Sequence, residues 1–190
     1  MRRWMTMAGA LVLLTLMTGC PFESTVPLGD PGPGSLDARL AGRWVMTNES
    51  GEDASVVFYP FDEEAYYVQL DEKGKPDSTE RYRVYTVTIG GEKFLNINKL
   101  GEEVEPGAYF FARYDFTKEG ALRLRFVGDE KIPKNLAGDR KALVKFVAEH
   151  LAGDFLDDTA KPDLMVRPKP APAKVETAAP KAEAAAPKAD

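Results

Sequence analysis

The sequence has very little of the two residue types that most often supply nucleophiles and metal ligands. Its 190 residues include one cysteine, Cys20, and one histidine, His150. One thiol cannot close an intramolecular disulfide, and one histidine cannot supply the ligands of a typical zinc site. A Ser-His-Asp arrangement would have to use His150, and no serine lies in a nucleophile-elbow context. We therefore expect a protein that is not an enzyme, with no cofactor and no metal ion.

Basic surface and long apolar runs are also scarce. Residues 20–190 carry 23 basic and 30 acidic side chains, a net charge of −7. Nucleic-acid phosphates require a basic face, so this composition argues against a nucleic-acid partner. Beyond the amino terminus, no apolar run reaches the roughly 18 residues that a membrane-spanning helix needs. Stability must come from a packed core, and membrane contact from something other than a spanning helix.

The amino terminus has the layout of an export signal. Arg2 and Arg3 give it a positive start, and residues 8–17 form an apolar stretch that is too short to anchor a protein across a bilayer. The stretch ends in Leu16-Met17-Thr18-Gly19-Cys20, which resembles the lipobox of bacterial lipoproteins. The resemblance implies that residues 1–19 are a signal peptide and that the Cys20 thiol carries diacylglycerol. An ordinary secretory signal followed by a chance cysteine is the alternative.

A lipidated Cys20 would place the protein on a membrane surface in the cell envelope. Each buried methylene contributes about 0.8 kcal/mol, so one acyl chain binds weakly and two or more bind firmly. In lipoproteins, an aspartate directly after the cysteine favours the inner membrane. Pro21 stands at that position here, so the resemblance implies the outer membrane, on either its periplasmic or its surface face.

The segments on either side of the expected domain are poor in core-forming residues. Residues 20–35 are rich in proline and glycine, which predicts a lipidated tether between the membrane and the domain. Residues 168–190 are rich in alanine, proline and lysine, which predicts a disordered tail. The tail is either a solubilising segment or a spacer that contacts peptidoglycan or an envelope protein. The folded domain is expected over residues 36–167.

The middle of the chain has the two-residue period of β-strands. Short alternating runs, separated by turn residues, predict strands over 43–47, 55–59, 65–70, 80–89, 93–97, 108–116, 121–127 and 163–167. Gly90-Gly91 predicts a tight hairpin turn. A helix is predicted before the last strand, with Asp139 as its N-cap and Gly153 at its end. The pattern predicts a mainly β fold, an antiparallel up-and-down barrel of about eight strands with one C-terminal helix.

The order of these elements has a family resemblance. An apolar lead-in, residues 36–41, precedes Gly42 and Trp44 at the start of the first strand, and a meander, a helix and a final strand follow. This is similar to the lipocalin-like (calycin-type) barrel, in which a Gly-x-Trp packs its tryptophan across the closed end. The resemblance implies that an arginine from the last strands covers Trp44. Arg167 is the first candidate for that role and Arg125 the second.

Acidic loops and strand aromatics are the remaining candidates for function. The acids Glu63, Glu64, Glu102 and Glu103 lie in loops; such carboxylates can bind calcium or cleave glycosides, but solvated loops are the simpler interpretation. Strand aromatics predict core packing, with an apolar ligand cavity as the alternative. Tyr109 and Phe111, if exposed, would form a patch for a partner or the membrane.

Together these features predict a membrane-anchored lipoprotein with a non-catalytic binding or envelope-interaction domain. The main alternative is a carrier that holds a small apolar ligand inside the barrel. A third interpretation is an envelope hydrolase that uses the loop carboxylates.

Overall fold

The computed structural model describes residues 21–47, 53–72, 79–101, 107–152, 155–156 and 163–168. Its strands are β1 (Gly42–Thr47), β2 (Asp53–Pro60), β3 (Tyr66–Glu72), β4 (Glu80–Ile89), β5 (Glu92–Leu100), β6 (Tyr109–Phe116), β7 (Leu122–Phe126) and β8 (Asp163–Met165). A 3₁₀ turn (Lys134–Leu136) and a helix, α1 (Arg140–Glu149), lie between β7 and β8. Residues 1–19, which are predicted to be a signal peptide, lie outside the described residues, as do Cys20, Gly153 and residues 169–190 of the predicted tail.

The eight strands form one antiparallel sheet in sequence order, and the sheet curls into a nearly closed barrel. β8 returns to β1, where Val45 and Val166 exchange two backbone hydrogen bonds with N–O distances of 2.8 and 2.9 Å. The predicted up-and-down barrel is confirmed, as is the helix that precedes the last strand. β4 has its predicted bounds, and the other strands differ from theirs by a few residues at their ends.

The hairpin between β4 and β5 turns at the predicted pair of glycines. Gly90 and Gly91 have φ values of 57° and 90°, which glycine adopts without the steric penalty of a side chain. A Cβ at Gly90 would clash with Cδ1 of Leu151, so this glycine also makes room for the chain after α1. The turn and the packing of Leu151 therefore depend on the same residue.

Alternate residues of the strands point into the barrel and form one apolar cluster, the barrel core. On β7, for example, Leu122 and Leu124 are buried, whereas Arg123 and Arg125 alternate with them on the outer face. The buried members of the barrel core are Leu40, Trp44, Val56, Phe58, Tyr66, Val68, Leu70, Val84, Leu95, Tyr114, Leu122, Leu124 and Met165. An eight-stranded barrel is just wide enough for side chains to fill it, and these buried side chains lie in its interior.

A second apolar cluster, the flank core, lies on the outer face of β4, β5 and β6. Its buried members are Phe22, Leu28, Ile89, Phe94, Phe111, Val127, Ile132, Leu143, Val147, Phe155 and Leu156. Leu143 and Val147 come from α1, whose N-cap is Asp139 as predicted: its carboxylate accepts a hydrogen bond from the Ala142 amide at 3.0 Å. The helix is therefore an external layer that covers one side of the sheet.

Residues 21–36, which we call the strap, pack against the barrel. Phe22 and Leu28 are 1% and 4% exposed, and both belong to the flank core. The prediction of a solvated tether over residues 20–35 is therefore wrong for residues 21–35. Proline and glycine content predicted a segment with little to bury, but two apolar side chains find a place on the sheet. The strap also covers Phe111, which is fully buried, so the condition for a patch at Tyr109 and Phe111, that both be exposed, is not met.

Candidate functional site

One end of the barrel is crossed by residues 36–41, and we call it the closed end. Leu40 is fully buried in the barrel core, and its carbonyl accepts a hydrogen bond from Nε1 of Trp44 at 2.8 Å. The Tyr66 hydroxyl, at the start of β3, donates to the Asp37 carbonyl at 2.8 Å. β1 and β3 lie on opposite sides of β2 in the sheet, so these bonds fasten the segment to strands that are not neighbours.

Asp37 is the centre of a charged network at the closed end. Its carboxylate accepts hydrogen bonds from Arg39 (Nε 2.9 Å, Nη2 2.6 Å), from Nζ of Lys93 at 2.8 Å and from the Tyr114 hydroxyl at 3.2 Å. The Arg39 guanidinium, and after it the Lys93 ammonium, hold the pKa of Asp37 well below its usual range, although burial acts to raise it. Burial and the Asp37 charge raise the pKa of Tyr114. Asp37 is therefore ionised and its two oxygens are occupied.

Trp44 lies beneath an arginine at the same end. The Cζ atom of Arg167 is 3.9 Å from the centroid of the Trp44 ring, and its Nη2 donates to the Arg39 carbonyl at 2.7 Å. Gly42, with a φ of 100°, makes room for this arginine: a Cβ there would lie 2.7 Å from Nη1 of Arg167. Sequence reasoning named Gly42, Trp44 and Arg167 as a set, and the structure brings these three together. Arg125 lies on the outer face of β7.

A second cation lies over an aromatic ring beside Trp44. The guanidinium carbon of Arg39 is 4.5 Å from the centroid of Phe116, whose ring is 6.0 Å from that of Trp44. Each polar group named at this end thus bonds to another group of the chain or lies over an aromatic ring. A general base needs an available lone pair and a pKa near the working pH, and Asp37 has neither. The arrangement is suited to closing the barrel.

The opposite end of the barrel, which we call the far end, has a different lining. Met46, Ala54, Tyr82, Ile97 and Phe126 point inward there and are only partly buried, although they pack against the barrel core. A polar trio lies beside them. The Tyr82 hydroxyl donates to Oε2 of Glu80, and Nζ of Lys99 donates to Oε1 of the same carboxylate. Burial first, and then Glu80, raise the pKa of Tyr82.

The other predicted candidates lie apart from these two ends. His150 is the C-cap of α1; its ring stacks on Phe146 with centroids 4.1 Å apart, and Nδ1 lies 2.7 Å from the Phe146 carbonyl. Asp62 closes the β2–β3 turn by accepting from the amides of Glu64 and Ala65 at 2.8 and 2.7 Å. Glu63 is exposed beside it. Glu102 and Glu103 lie outside the described residues.

The sequence did not reveal the structural roles of two polar residues. Asp37 was included in an apolar lead-in, and its spacing of two residues from Arg39 was the available signal. Asn96 is fully buried on the outer face of β5, and only the structure explains why a polar residue is there. Its Oδ1 accepts a hydrogen bond from the Leu28 amide at 2.8 Å. The strap needs a hydrogen-bond acceptor there, because a buried amide without a partner is destabilising.

Neither a metal centre nor a spanning helix is present in the described part of the chain. Those residues contain no group of three or more histidine, cysteine, aspartate or glutamate side chains placed to hold an ion. Their helical segments are also too short or too polar to cross a bilayer. No family model, no curated protein and no solved structure matches this chain.

Proposed function

We propose that this chain is a lipoprotein of the bacterial envelope, acylated at Cys20, whose barrel is a non-catalytic binding or envelope-interaction module. The signal peptide and the lipobox-like residues 16–20 support the lipid anchor. Pro21 supports the outer membrane as its location. The carboxy-terminal tail is the proposed contact with peptidoglycan or with an envelope protein.

The packed barrel core is the observation that carries the interaction role. The side chains of Trp44, Phe58, Tyr66 and Tyr114 occupy the barrel interior next to the closed end, and all four are at most 3% exposed. The polar groups of the closed end are bonded to one another. An outer surface, more than the barrel interior, is therefore available for recognition.

The outer surface offers one group of exposed aromatic residues. Tyr59 and Phe61, at the end of β2 and in the following turn, are 50% and 70% exposed, and the ring of Tyr59 lies 6.3 Å from that of Tyr67. Exposed aromatic side chains are typical anchors at protein interfaces. They are the first residues to replace once a partner is in hand.

A carrier role is the second candidate, and the far end favours it. The partly buried Met46, Ile97 and Phe126 and the hydroxyl of Tyr82 together have the mixed lining that small apolar ligands prefer. Extraction of the natively purified protein with organic solvent separates the two roles. A hydrophobic molecule recovered at one equivalent per chain would support the carrier, and an empty protein would support the interaction module.

Lipidation is tested by intact-mass spectrometry of the membrane-bound protein. We expect a mature chain that begins at Cys20 and carries acyl mass on that residue, and we expect globomycin to cause the precursor to accumulate. The Cys20→Ser variant serves as the control, since it removes the acceptor sulfur. An unmodified sulfur on the mature protein would refute the proposal.

A further inference from the structure

The strap leaves no spacer between residue 20 and the barrel. Pro21 pairs with Gly128, and the amide of Phe22 donates to the Val127 carbonyl at 2.8 Å. The Phe22 side chain is buried with its ring centroid 6.4 Å from that of Phe111. Residue 21 is therefore fixed to the outer surface of the barrel, beside the end of β7.

The attachment continues along the following residues. Ser24 and Tyr109 exchange two backbone hydrogen bonds, at 3.0 and 2.7 Å, and the Ser24 hydroxyl donates to the Ala137 carbonyl at 2.8 Å. The amide of Thr25 donates to the same carbonyl at 2.9 Å. If the strap detached from the barrel beyond residue 22, these hydrogen bonds would break and the Phe22 side chain would become exposed. The strap therefore does not act as a flexible linker.

One peptide bond, about 3.8 Å between Cα atoms, separates Pro21 from Cys20. We infer that the outer surface around Gly128, which we call the anchor face, lies directly on the lipid headgroups of the membrane. This inference rests on the proposed acylation of Cys20. The occupant of the face is a phospholipid bilayer surface, because acyl chains on Cys20 would insert into a bilayer and Pro21 holds the barrel directly beside them.

The side chains of the anchor face suit headgroups. Asp129 and Lys134 form an ion pair at 3.2 Å, and Glu130 and Lys131 are exposed between them. Such side chains remain hydrated at the headgroup layer and would be costly to bury among acyl chains. The barrel thus rests on the bilayer while the lipid of residue 20 inserts.

If the anchor face lies on the membrane, the opposite side of the barrel must point away from it. In the ring of eight strands, β3 is four positions from β7, on the other side of the barrel. The β2–β3 turn, with Phe61 and Glu63, is therefore directed away from the lipid. The exposed aromatic residues there are presented to the space next to the membrane.

The test compares two matched glutamate positions on the lipidated full chain. Acylation uses the sulfur of Cys20, so Glu130→Cys and Glu63→Cys each introduce one free thiol for a fluorophore. The proteins are placed in phosphatidylcholine vesicles that contain a lipid with a nitroxide on its headgroup. We expect severalfold stronger quenching of the label at position 130 than at position 63.

A linker variant provides the control. A flexible Gly/Ser segment inserted between Cys20 and Pro21 should make the quenching at the two positions alike, because the barrel can then turn freely. Equal quenching in the protein without the insert, with acylation of Cys20 proven by mass spectrometry, would overturn the anchor face alone. An unacylated Cys20 would overturn the proposed function, and this inference with it.

Discussion

The guanidinium of Arg167 covers the indole of Trp44 at 3.9 Å and joins the carboxy-terminal end of the barrel to the lead-in through the Arg39 carbonyl. This contact connects two segments that are more than a hundred residues apart in the sequence. It lies next to the pairing of Val45 with Val166, where the barrel closes. Loss of this one side chain should therefore weaken both the closed end and the barrel closure.

We expect Arg167→Ala to lower the free energy of unfolding by about 1–2 kcal/mol, the sum of a cation–π contact and a hydrogen bond from a charged donor. The free energy of unfolding of Arg167→Lys should lie between those of the parent and of Arg167→Ala, because lysine keeps the charge but cannot stack on the indole as a planar group. Arg125→Ala, at the other candidate arginine, is the control and should change stability by less. Urea unfolding followed by tryptophan fluorescence measures these differences, because Trp44 is the only tryptophan after residue 19. Equal effects at the two arginines would contradict the prediction.

The ionised Asp37 should make the free energy of unfolding decrease at low pH. Its pKa is held below the usual value by Arg39 and Lys93, so its contribution is complete above the unfolded-state pKa of about 3.9 and is lost as the pH falls below it. Asp37→Asn should reduce stability at pH 7 by about 1–2 kcal/mol. As the pH is lowered below about 4, the stability of Asp37→Asn should also decrease less steeply than that of the parent.

The matched control for that experiment is Asp115→Asn. Asp115 also has a lowered pKa, from its pair with Arg123, but its side chain is 50% exposed. Solvent screens such a pair, so the effect should be smaller. Denaturant titrations at several pH values provide the comparison, and parallel pH profiles for parent and Asp37→Asn would be the adverse result.

The strap should contribute to stability like a core element. Phe22→Ala removes a buried ring from the flank core, and we expect a loss of about 3–4 kcal/mol. Glu23→Ala, at the exposed neighbouring position, should stay within about 0.5 kcal/mol of the parent. Thermal and urea unfolding of a soluble form that begins at residue 21 would measure both. A small effect of Phe22→Ala would mean that the strap leaves the barrel readily, as a tether does.

The two hairpin glycines should differ in their tolerance to alanine. Gly91→Ala forces a Cβ into a positive-φ conformation in open space and should cost about 1–2 kcal/mol. Gly90→Ala has the same strain and also meets Leu151, so we expect about 1 kcal/mol more. In the double variant with Leu151→Ala, the added penalty at position 90 should disappear. Additive effects in this double-mutant cycle would show that the contact does not matter.

Local periodicity was enough to predict the barrel, because each strand alternates and each turn carries its own residues. β4 and the Gly90-Gly91 turn are the clearest examples. The strap was not predictable in the same way, since Phe22 and Leu28 are isolated apolar residues in a proline- and glycine-rich segment. Their partners on β6 and β5 are distant in the sequence. Only the fold brings the Leu28 amide to Asn96 or Lys93 to Asp37.

The residues of the candidate site were also predictable only in part. Gly42, Trp44 and Arg167 were selected through a family resemblance that supplied long-range information. Asp37 had no such guide. A carboxylate that accepts hydrogen bonds from Arg39, Lys93 and Tyr114 looks like any loop acid when only its neighbours in sequence are known.

The closure of the barrel at Val45 and Val166 has a consequence for how the molecule comes apart. β8 is three residues long and pairs with β7 over the same three residues, whereas β4 and β5 pair over nine. Cooperative opening starts where the fewest bonds must break at once. Detachment of β8 would uncover the unpaired edges of β1 and β7 while the five strands between them keep their hydrogen bonds, and such edges readily accept a strand from another chain.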